Sequence, residues 1–194
     1  MSYHVYTTEG IILKRNTFGE ANIFLHILTK DLGLIIASAH SARLSLSKLR
    51  PALQEYTYIS VSCIKGKNGW KITNAIDKGN FFYNSPLYTR RIIGQIGWTL
   101  LKTIVGETPH LEIFQTVKNG FDFLGTISKE DVGDFEILQV LRILYHLGYV
   151  HKDKNLEIFL NRTDDWNLEI LRQVNQYKIN IIKSINKAFH ESQM

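Results

Sequence analysis

Cysteine is almost absent from this chain of 194 residues, since Cys63 stands alone. That excludes an internal disulfide and a cysteine-rich zinc site, and leaves Cys63 as a small apolar residue on a strand. Proline is scarce, at three residues, while 44% of the chain is hydrophobic. Extended disorder is therefore not expected, and a packed core is. Long apolar runs are lacking too. None reaches the roughly 18 residues that span a bilayer. The start, Met1-Ser2-Tyr3-His4-Val5-Tyr6, has no basic stretch followed by an apolar one, so no signal peptide is read. These absences point to a soluble cytoplasmic protein.

The patterns of catalysis are missing as well. No G-x-x-x-x-G-K-[ST] or G-x-G-x-x-G phosphate cradle occurs, and no G-x-S-x-G elbow or H-E-x-x-H pair. His146 and His151 are the nearest pair of histidines. They straddle a helix end at Gly148 and read as boundary residues rather than metal ligands. Asp164-Asp165 precedes a predicted helix, where carboxylates suit the positive end of the dipole. A metal-bound nuclease pair is the weaker reading of them. Glu107 and Glu112 have no basic or hydroxyl companion in the sequence and read as solvated acids. No enzyme, no cofactor and no metal are expected.

What is present is positive charge in one place. Formal net charge is +5. Residues 1–80 hold ten Lys/Arg against five Asp/Glu, and the rest of the chain holds thirteen of each. The whole excess therefore lies in the first 80 residues, which suits a polyanion partner, while a charge of this size also serves ordinary surface solubility.

The same division appears in the hydrophobic grammar. Residues 3–15 are rich in strand formers, with Gly10 a candidate bulge or bend. Residues 22–29 alternate, with Ile23, Leu25 and Ile27 on one face and Phe24, His26 and Leu28 on the other. Lys30-Asp31-Leu32-Gly33 is a turn, and residues 34–39 continue as a strand. Further strands are read over 56–64 and 70–76, around the turn Lys65-Gly66-Lys67-Asn68-Gly69. Five short strands fit a small closed barrel, of which the OB-fold is the type most used for oligonucleotides. Periodicity alone leaves an SH3-like barrel open.

Residues 81–194 read as helical. Ser85-Pro86 is a helix start for 87–105, and Thr108-Pro109 restarts a helix that ends at Gly125. Ser128 to Asp131 has capping-box spacing. The helix after it is apolar nearly all round, so it should be buried and central, and it ends at Gly148. A last helix from about Trp166 carries the stripe Leu171, Val174, Ile181, Ile182, Ile185 and Phe189. The predicted architecture is α+β: a five-stranded barrel over 1–80, with the OB-fold as its leading type, then an all-α domain over 81–194.

In an OB-fold the loops joining strands 1–2 and 4–5 flank the ligand face. Here they would carry Lys14 and Arg15, and Lys65 and Lys67, with Lys71 just beyond. The 40–51 link adds Arg43, Lys48, Arg50 and three serines. Cations and hydroxyls so placed suit phosphate oxygens. Phe18, Tyr56, Tyr58 and Trp70 are candidates for base stacking. Packing inside the barrel is the competing and favoured role for Phe18 and Trp70, because a barrel strand turns half its side chains inward.

Several spaced stretches resemble the bacterial RecO family. They are Thr8-Glu9-Gly10-Ile11-Ile12-Leu13-Lys14-Arg15, Phe18-Gly19-Glu20-Ala21, Leu28-Thr29-Lys30-Asp31-Leu32-Gly33 and Ser41-Ala42-Arg43. Ser47-Lys48-Leu49-Arg50 and Ala52-Leu53-Gln54 follow in order, then Phe135-Glu136-Ile137-Leu138 with Leu147-Gly148-Tyr149. Asn22-Ile23 and His40-Ser41 depart from the pattern. The four zinc cysteines of many members are absent, so no zinc is expected. The chain is short for the family, so a trimmed helical domain is expected. The resemblance implies a mediator of recombinational DNA repair in the RecF pathway. Such a protein binds single- and double-stranded DNA, anneals strands, and with RecR loads RecA onto DNA coated by the single-stranded-DNA-binding protein SSB. It also implies contact with the SSB C-terminal tail, for which an apolar pocket rimmed by Arg90, Arg91, Arg142 or Arg172 is expected in the helical half. An OB-like module for RNA or a protein partner is the alternative.

Overall fold

The computed structural model describes residues 4–152, 154–163 and 165–191. Two compact units separate: Met1–Asn84 with Val105–His110, and Ser85–Ile104 with Leu111–Met194. The barrel unit thus runs four residues past the boundary read at residue 80 and takes in 105–110.

The first unit is a closed barrel of β1 (Val5–Phe18), β2 (Asn22–Thr29), β3 (Gly33–Ala39), β4 (Thr57–Gly66) and β5 (Gly69–Asn80). The strands close in the order β1-β2-β3-β5-β4, with β3 and β5 parallel and the other pairs antiparallel. This is an OB-fold barrel. Strand β1 closes it by pairing on both edges. Val5–Ile11 pairs with β4, and Gly10–Phe18 pairs with β2 across a register shift between Ile12 and Lys14. The bulge lies at Leu13, not at Gly10. Gly10 serves a close approach instead: a Cβ there would stand 2.7 Å from Ile27 Cγ2 and 3.3 Å from the Leu28 carbonyl oxygen.

Alternation along the strands fills the interior with Ile12, Ile23, Leu25, Ile27, Ile35, Ala37, Ile59, Val61, Cys63, Trp70 and Ile72. Fully burying a side chain of the Ile or Leu size contributes about 1.5–3 kcal/mol. Burial pushes the Cys63 thiol up to about 11, so it stays protonated and inert at neutral pH. Leu28 is buried as well, so the second face of β2 is open only at Phe24 and His26.

A short helix, α1 (Phe81–Asn84), ends the first unit. In the second, a 3-10 turn over Leu87–Thr89 leads into α2 (Arg90–Thr103), followed by α3 (Leu111–Leu124), α4 (Val132–His146), α5 (Glu157–Leu160) and α6 (Leu168–Glu191). Helix α4 packs against α2, α3, α5 and α6, as an all-round apolar helix must. It ends in a Schellman arrangement at Gly148 (φ 81°), where Gly148 N–H meets Tyr145 O and Tyr149 N–H meets Leu144 O. Its start is not a capping box. Ser128 Oγ and Asp131 Oδ2 bond to each other at 2.8 Å, and Asp131 makes no side-chain cap bond. Helix α6 is capped by Asn167 Oδ1, which accepts from Ile170 N–H at 2.9 Å. Its buried stripe is Leu171, Val174, Ile181, Ile185 and Ala188. Asp164 of the acidic pair lies outside the described residues, and the Asp165 backbone carbonyl accepts from Arg142.

Residues 105–110 bear on the barrel at Gly33. A Cβ there would lie 2.4 Å from the Thr108 carbonyl oxygen. Gly33 and Gly19 both have left-handed backbone, φ 71° and 57°, but nothing lies within 4 Å of a Cβ at Gly19. Each alanine substitution should cost about 1–2 kcal/mol for the backbone. Gly33→Ala should cost clearly more than Gly19→Ala in urea unfolding. Equal losses would mean that 105–110 does not hold against the barrel in solution.

Candidate nucleic-acid interface

The candidate interface consists of side chains that the barrel interior does not use. In register, Lys14 of β1 stands opposite His26 of β2, and His26 opposite Ile36 of β3. A second row runs Asn16, Phe24, Ser38 and Lys71 across β1, β2, β3 and β5. At about 4.8 Å per strand this row is roughly 14 Å long. Phe18 is 60% and Phe24 38% exposed, and their rings meet at 5.4 Å with a 57° tilt. Ile36 is exposed on β3, across His26 from Lys14. His26 is half-buried. Burial, and then the charge of Lys14, hold its pKa below the usual histidine value, so it is neutral at neutral pH.

Lys14 and Arg15 are strand residues, because β1 runs on to Phe18 and the β1–β2 turn is only Gly19 to Ala21. Lys65 and Gly66 likewise end β4, so the β4–β5 turn is Lys67-Asn68. The 40–51 segment is tied to the first turn by Arg43. Its backbone N–H meets Ala21 O at 3.0 Å and its Nη1 donates to Gly19 O at 3.1 Å. A guanidinium has five donors, so Arg43 keeps donors for a ligand. Ala42, Ala52 and Leu53 anchor the segment in the core, while Lys48 and Arg50 are exposed.

The cations are not equally available. Glu9 takes up two of them: it is ion-paired with Lys78 and lies 3.9 Å from Lys30. It also accepts from Tyr58 Oη at 2.6 Å, and Lys78 sits over the Tyr58 ring. Tyr58 is therefore engaged and is no stacking platform. Lys65 Nζ pairs with Glu107 at 2.5 Å and lies over the Trp70 ring. Lys65 thus has an acidic partner, and Glu107, expected without a basic companion, has one. Among the described residues, Lys14, Arg43, Lys48, Arg50, Lys67 and Lys71 make no ion pair.

Of the stacking candidates, Trp70 is 5% exposed and belongs to the core, so it cannot receive a base. Phe18 is the reverse of the favoured reading and faces solvent. Phe24, Ile36 and Ser38 were missed. Their signal was the alternation of β2 and β3, which already set Phe24 and His26 opposite the core face.

In the helical unit, Arg142 is fully buried. Its Nε donates to Phe159 O (3.0 Å), Nη1 to Asp165 O (2.9 Å) and Nη2 to Arg162 O (3.2 Å), with the guanidinium stacked over Trp166. It ties Phe159, Arg162, Asp165 and Trp166 to α4 and is no rim residue. Arg91 is exposed and 3.6 Å from Glu136; Arg172 is exposed and Arg90 half-buried. A groove of about 320 Å³ between α2, α4 and α6 is lined by Ile96, Trp98, Ile137, Val140, Ile182 and Phe189, among others. Trp98 is 61% exposed, with Lys102 Nζ 5.7 Å from its ring. None of the four arginines lines this groove. No group of three or more His, Cys, Asp or Glu among the described residues could hold a metal ion. Among the described residues, no helix is long and apolar enough to cross a membrane.

The Glu9 cluster gives a pH test. Its hydrogen bonds to Lys78, then Tyr58, hold the Glu9 pKa below the ordinary value. The stabilisation is therefore present above the unfolded pKa, about 4.3, and is lost as pH falls through the native one. The stability gap between wild type and Glu9→Gln should stay level from about pH 8 to 6 and shrink below about pH 4. A gap undiminished at about pH 3 would show that ionised Glu9 does not hold these lysines.

Residues 1–77 match the family described as recombination protein O N terminal. The DNA repair protein RecO of Thermodesulfovibrio yellowstonii is 30% identical over 154 residues, covering 77% of this chain and 60% of that protein. That of Alkaliphilus metalliredigens is 34% identical over 136 residues, covering 70% and 53%. That of Dehalococcoides mccartyi strain 195 is 42% identical over 64 residues, covering 33% and 25%. The matched stretches thus span between a quarter and 60% of these relatives' length.

Proposed function

Through its N-terminal domain this chain belongs to the RecO family, and from that premise we propose that it is a DNA-repair mediator whose barrel holds single-stranded DNA on the outer face of β1, β2, β3 and β5. The observation that carries this reading is the row from Asn16 through Phe24 and Ser38 to Lys71, with exposed Phe18 beside Phe24. Bases stack on Phe18 and Phe24, each stack being worth roughly 1–3 kcal/mol. Phosphates lie on Lys14, Lys71, Lys67 and the donors of Arg43, and Lys48 and Arg50 extend the positive path. Contacts of that second kind ignore sequence and also serve duplex DNA. Neutralising phosphates while leaving base edges free favours annealing, which needs binding and no bond chemistry, so the protein acts as a mediator and not as an enzyme. With RecR it clears SSB-coated strands for RecA.

The SSB tail belongs, in this reading, to the groove beside Trp98. Apolar walls and a nearby lysine suit a peptide that is hydrophobic and acidic. Trp98→Ala should weaken binding of an SSB tail peptide by about 2 kcal/mol or more, as a buried aromatic anchor does. Unchanged affinity would remove the tail from this groove.

For the barrel, anisotropy of labelled single-stranded DNA across salt concentrations is the test. Lys14→Ala with Lys71→Ala should reduce the log–log salt slope by about 1.4, at about 0.7 per phosphate. Phe24→Ala should cost roughly 1–3 kcal/mol without changing the slope. A slope unmoved by the double substitution would place the strand elsewhere. Strong preference for a matched RNA would favour the RNA-binding alternative.

A further inference from the structure

We propose that the cleft beside Arg15 receives an unstacked guanine from the bound single strand. The proposal rests on the strand-binding reading above and adds base selection to it. The cleft exists because pairing between β1 and β4 stops at Ile11 and Tyr58. Beyond that point two bonds bridge the gap: Tyr56 N–H to Ile12 O at 2.7 Å, and Arg15 N–H to Glu55 Oε1 at 2.8 Å. At this place lies a cleft of about 300 Å³ lined by Arg15, Gln54, Glu55, Tyr56, Phe82 and Tyr83.

Three features mark it as built. Tyr56 adopts φ 60°, a left-handed backbone that costs an L residue stability, and the turn it makes sets Glu55 beside Arg15. Asn80 then fixes the aromatic wall to that turn. Its Nδ2 donates to Glu55 O at 2.9 Å, and its Oδ1 accepts from Phe82 N–H at 3.0 Å and Tyr83 N–H at 2.9 Å. The Tyr56 and Phe82 rings lie nearly parallel at 5.7 Å, and Tyr83 meets Phe82 edge-on. Finally, Arg15 Nε is buried with no hydrogen-bond partner among the described residues. A buried donor left without an acceptor is costly, and a ligand carbonyl supplies one.

The chemistry selects the ligand. A phosphate on Arg15 would also meet the Glu55 carboxylate, so an anion is disfavoured. A neutral ring with acceptors on one edge and donors on the other fits both groups. Guanine offers O6 and N7 to a guanidinium, and N1–H with the 2-amino group to a carboxylate. In a duplex those donors are used in pairing, so the site requires an unpaired base. Stacking against the aromatic wall completes the fit. Continuity with the basic segment is direct, because Gln54 Nε2 donates to Arg50 O at 2.6 Å.

The test compares the full chain's affinity for a thymidylate oligomer of about fifteen nucleotides with that for the same oligomer carrying one central guanine, adenine or hypoxanthine. Guanine should tighten binding at least about fivefold over adenine, with hypoxanthine between, since it lacks the 2-amino group. Glu55→Gln keeps an oxygen for the Arg15 N–H and should erase the preference. In a second arm, deoxyguanosine monophosphate should shift the Arg15 Nε–H resonance, and the adenosine analogue should not. Tight thymidylate binding without guanine preference overturns the cleft and leaves the barrel face standing. No shift with either nucleotide overturns it as well. A guanine-specific shift without any oligomer binding supports the cleft as a nucleotide site and removes the strand reading beneath it.

Discussion

The double pairing of β1 is the constraint on which the rest depends. One strand of 14 residues hydrogen-bonds to β4 with its first half and to β2 with its second. It can do so only because Gly10 has no Cβ to meet Ile27 and because a bulge at Leu13 bends the strand. Closure removes the edges an open sheet would leave for pairing with other chains. It also has a local consequence. Once β1 leaves β4 at Ile11, its freed edge is met by Glu55 and Tyr56 instead of by a strand, and the cleft at Arg15 is the space that remains.

Charge is allocated by the same geometry. Lys30, Lys78 and Lys65 sit on the barrel surface but are held by Glu9 and Glu107. Exposed pairs of this kind contribute only about 0–1 kcal/mol of stability. Their larger effect is on where positive potential remains. It remains at Lys14 and Lys71 in the two rows of the outer face, at Lys67 on the β4–β5 turn, and along Arg43, Lys48 and Arg50. A count of lysines in the first 80 residues cannot show this, because Glu9 and Lys78 are distant in sequence and Glu107 lies outside that stretch altogether.

Much of the fold was legible because it rests on local signals. Alternation in 22–29, the turn at Gly33 and the stop at Gly148 each follow from a period or from a backbone conformation that glycine tolerates. The failures share one cause, which is that burial depends on neighbours that the local pattern does not contain. Lys14-Arg15-Asn16-Thr17 looks like a loop by polarity, yet the outer face of a barrel accepts polar side chains, so β1 continues to Phe18. Phe18 then faces solvent and Trp70 faces inward, although both are large aromatics beside basic residues. Arg142 looks like a surface cation. It is buried because the carbonyls of Phe159, Arg162 and Asp165 converge on it and Trp166 covers its face. Residues 105–110 sit between two helices in sequence and still group with the barrel, for Gly33 leaves them room.

The outer face and the cleft differ in kind, and the difference is physical. Lys14 and Lys71 carry unpaired charge in solvent, so their attraction for phosphates falls as salt rises. It says nothing about which base is bound. Arg15 is half-buried and shares its site with Glu55, so the pair presents little net charge and salt affects it weakly. What it presents is a buried donor and a carboxylate that line one cleft, beside aromatic residues whose backbone Asn80 ties to the Glu55 turn. A polyanion is captured by charge of the first kind, whereas discrimination among bases requires desolvated groups that are left unpaired by the wrong partner. On the proposed reading, Lys14 and Arg15 stand side by side on β1 just past its bulge, so one strand would carry both the charge that holds a polyanion and the group that discriminates a base.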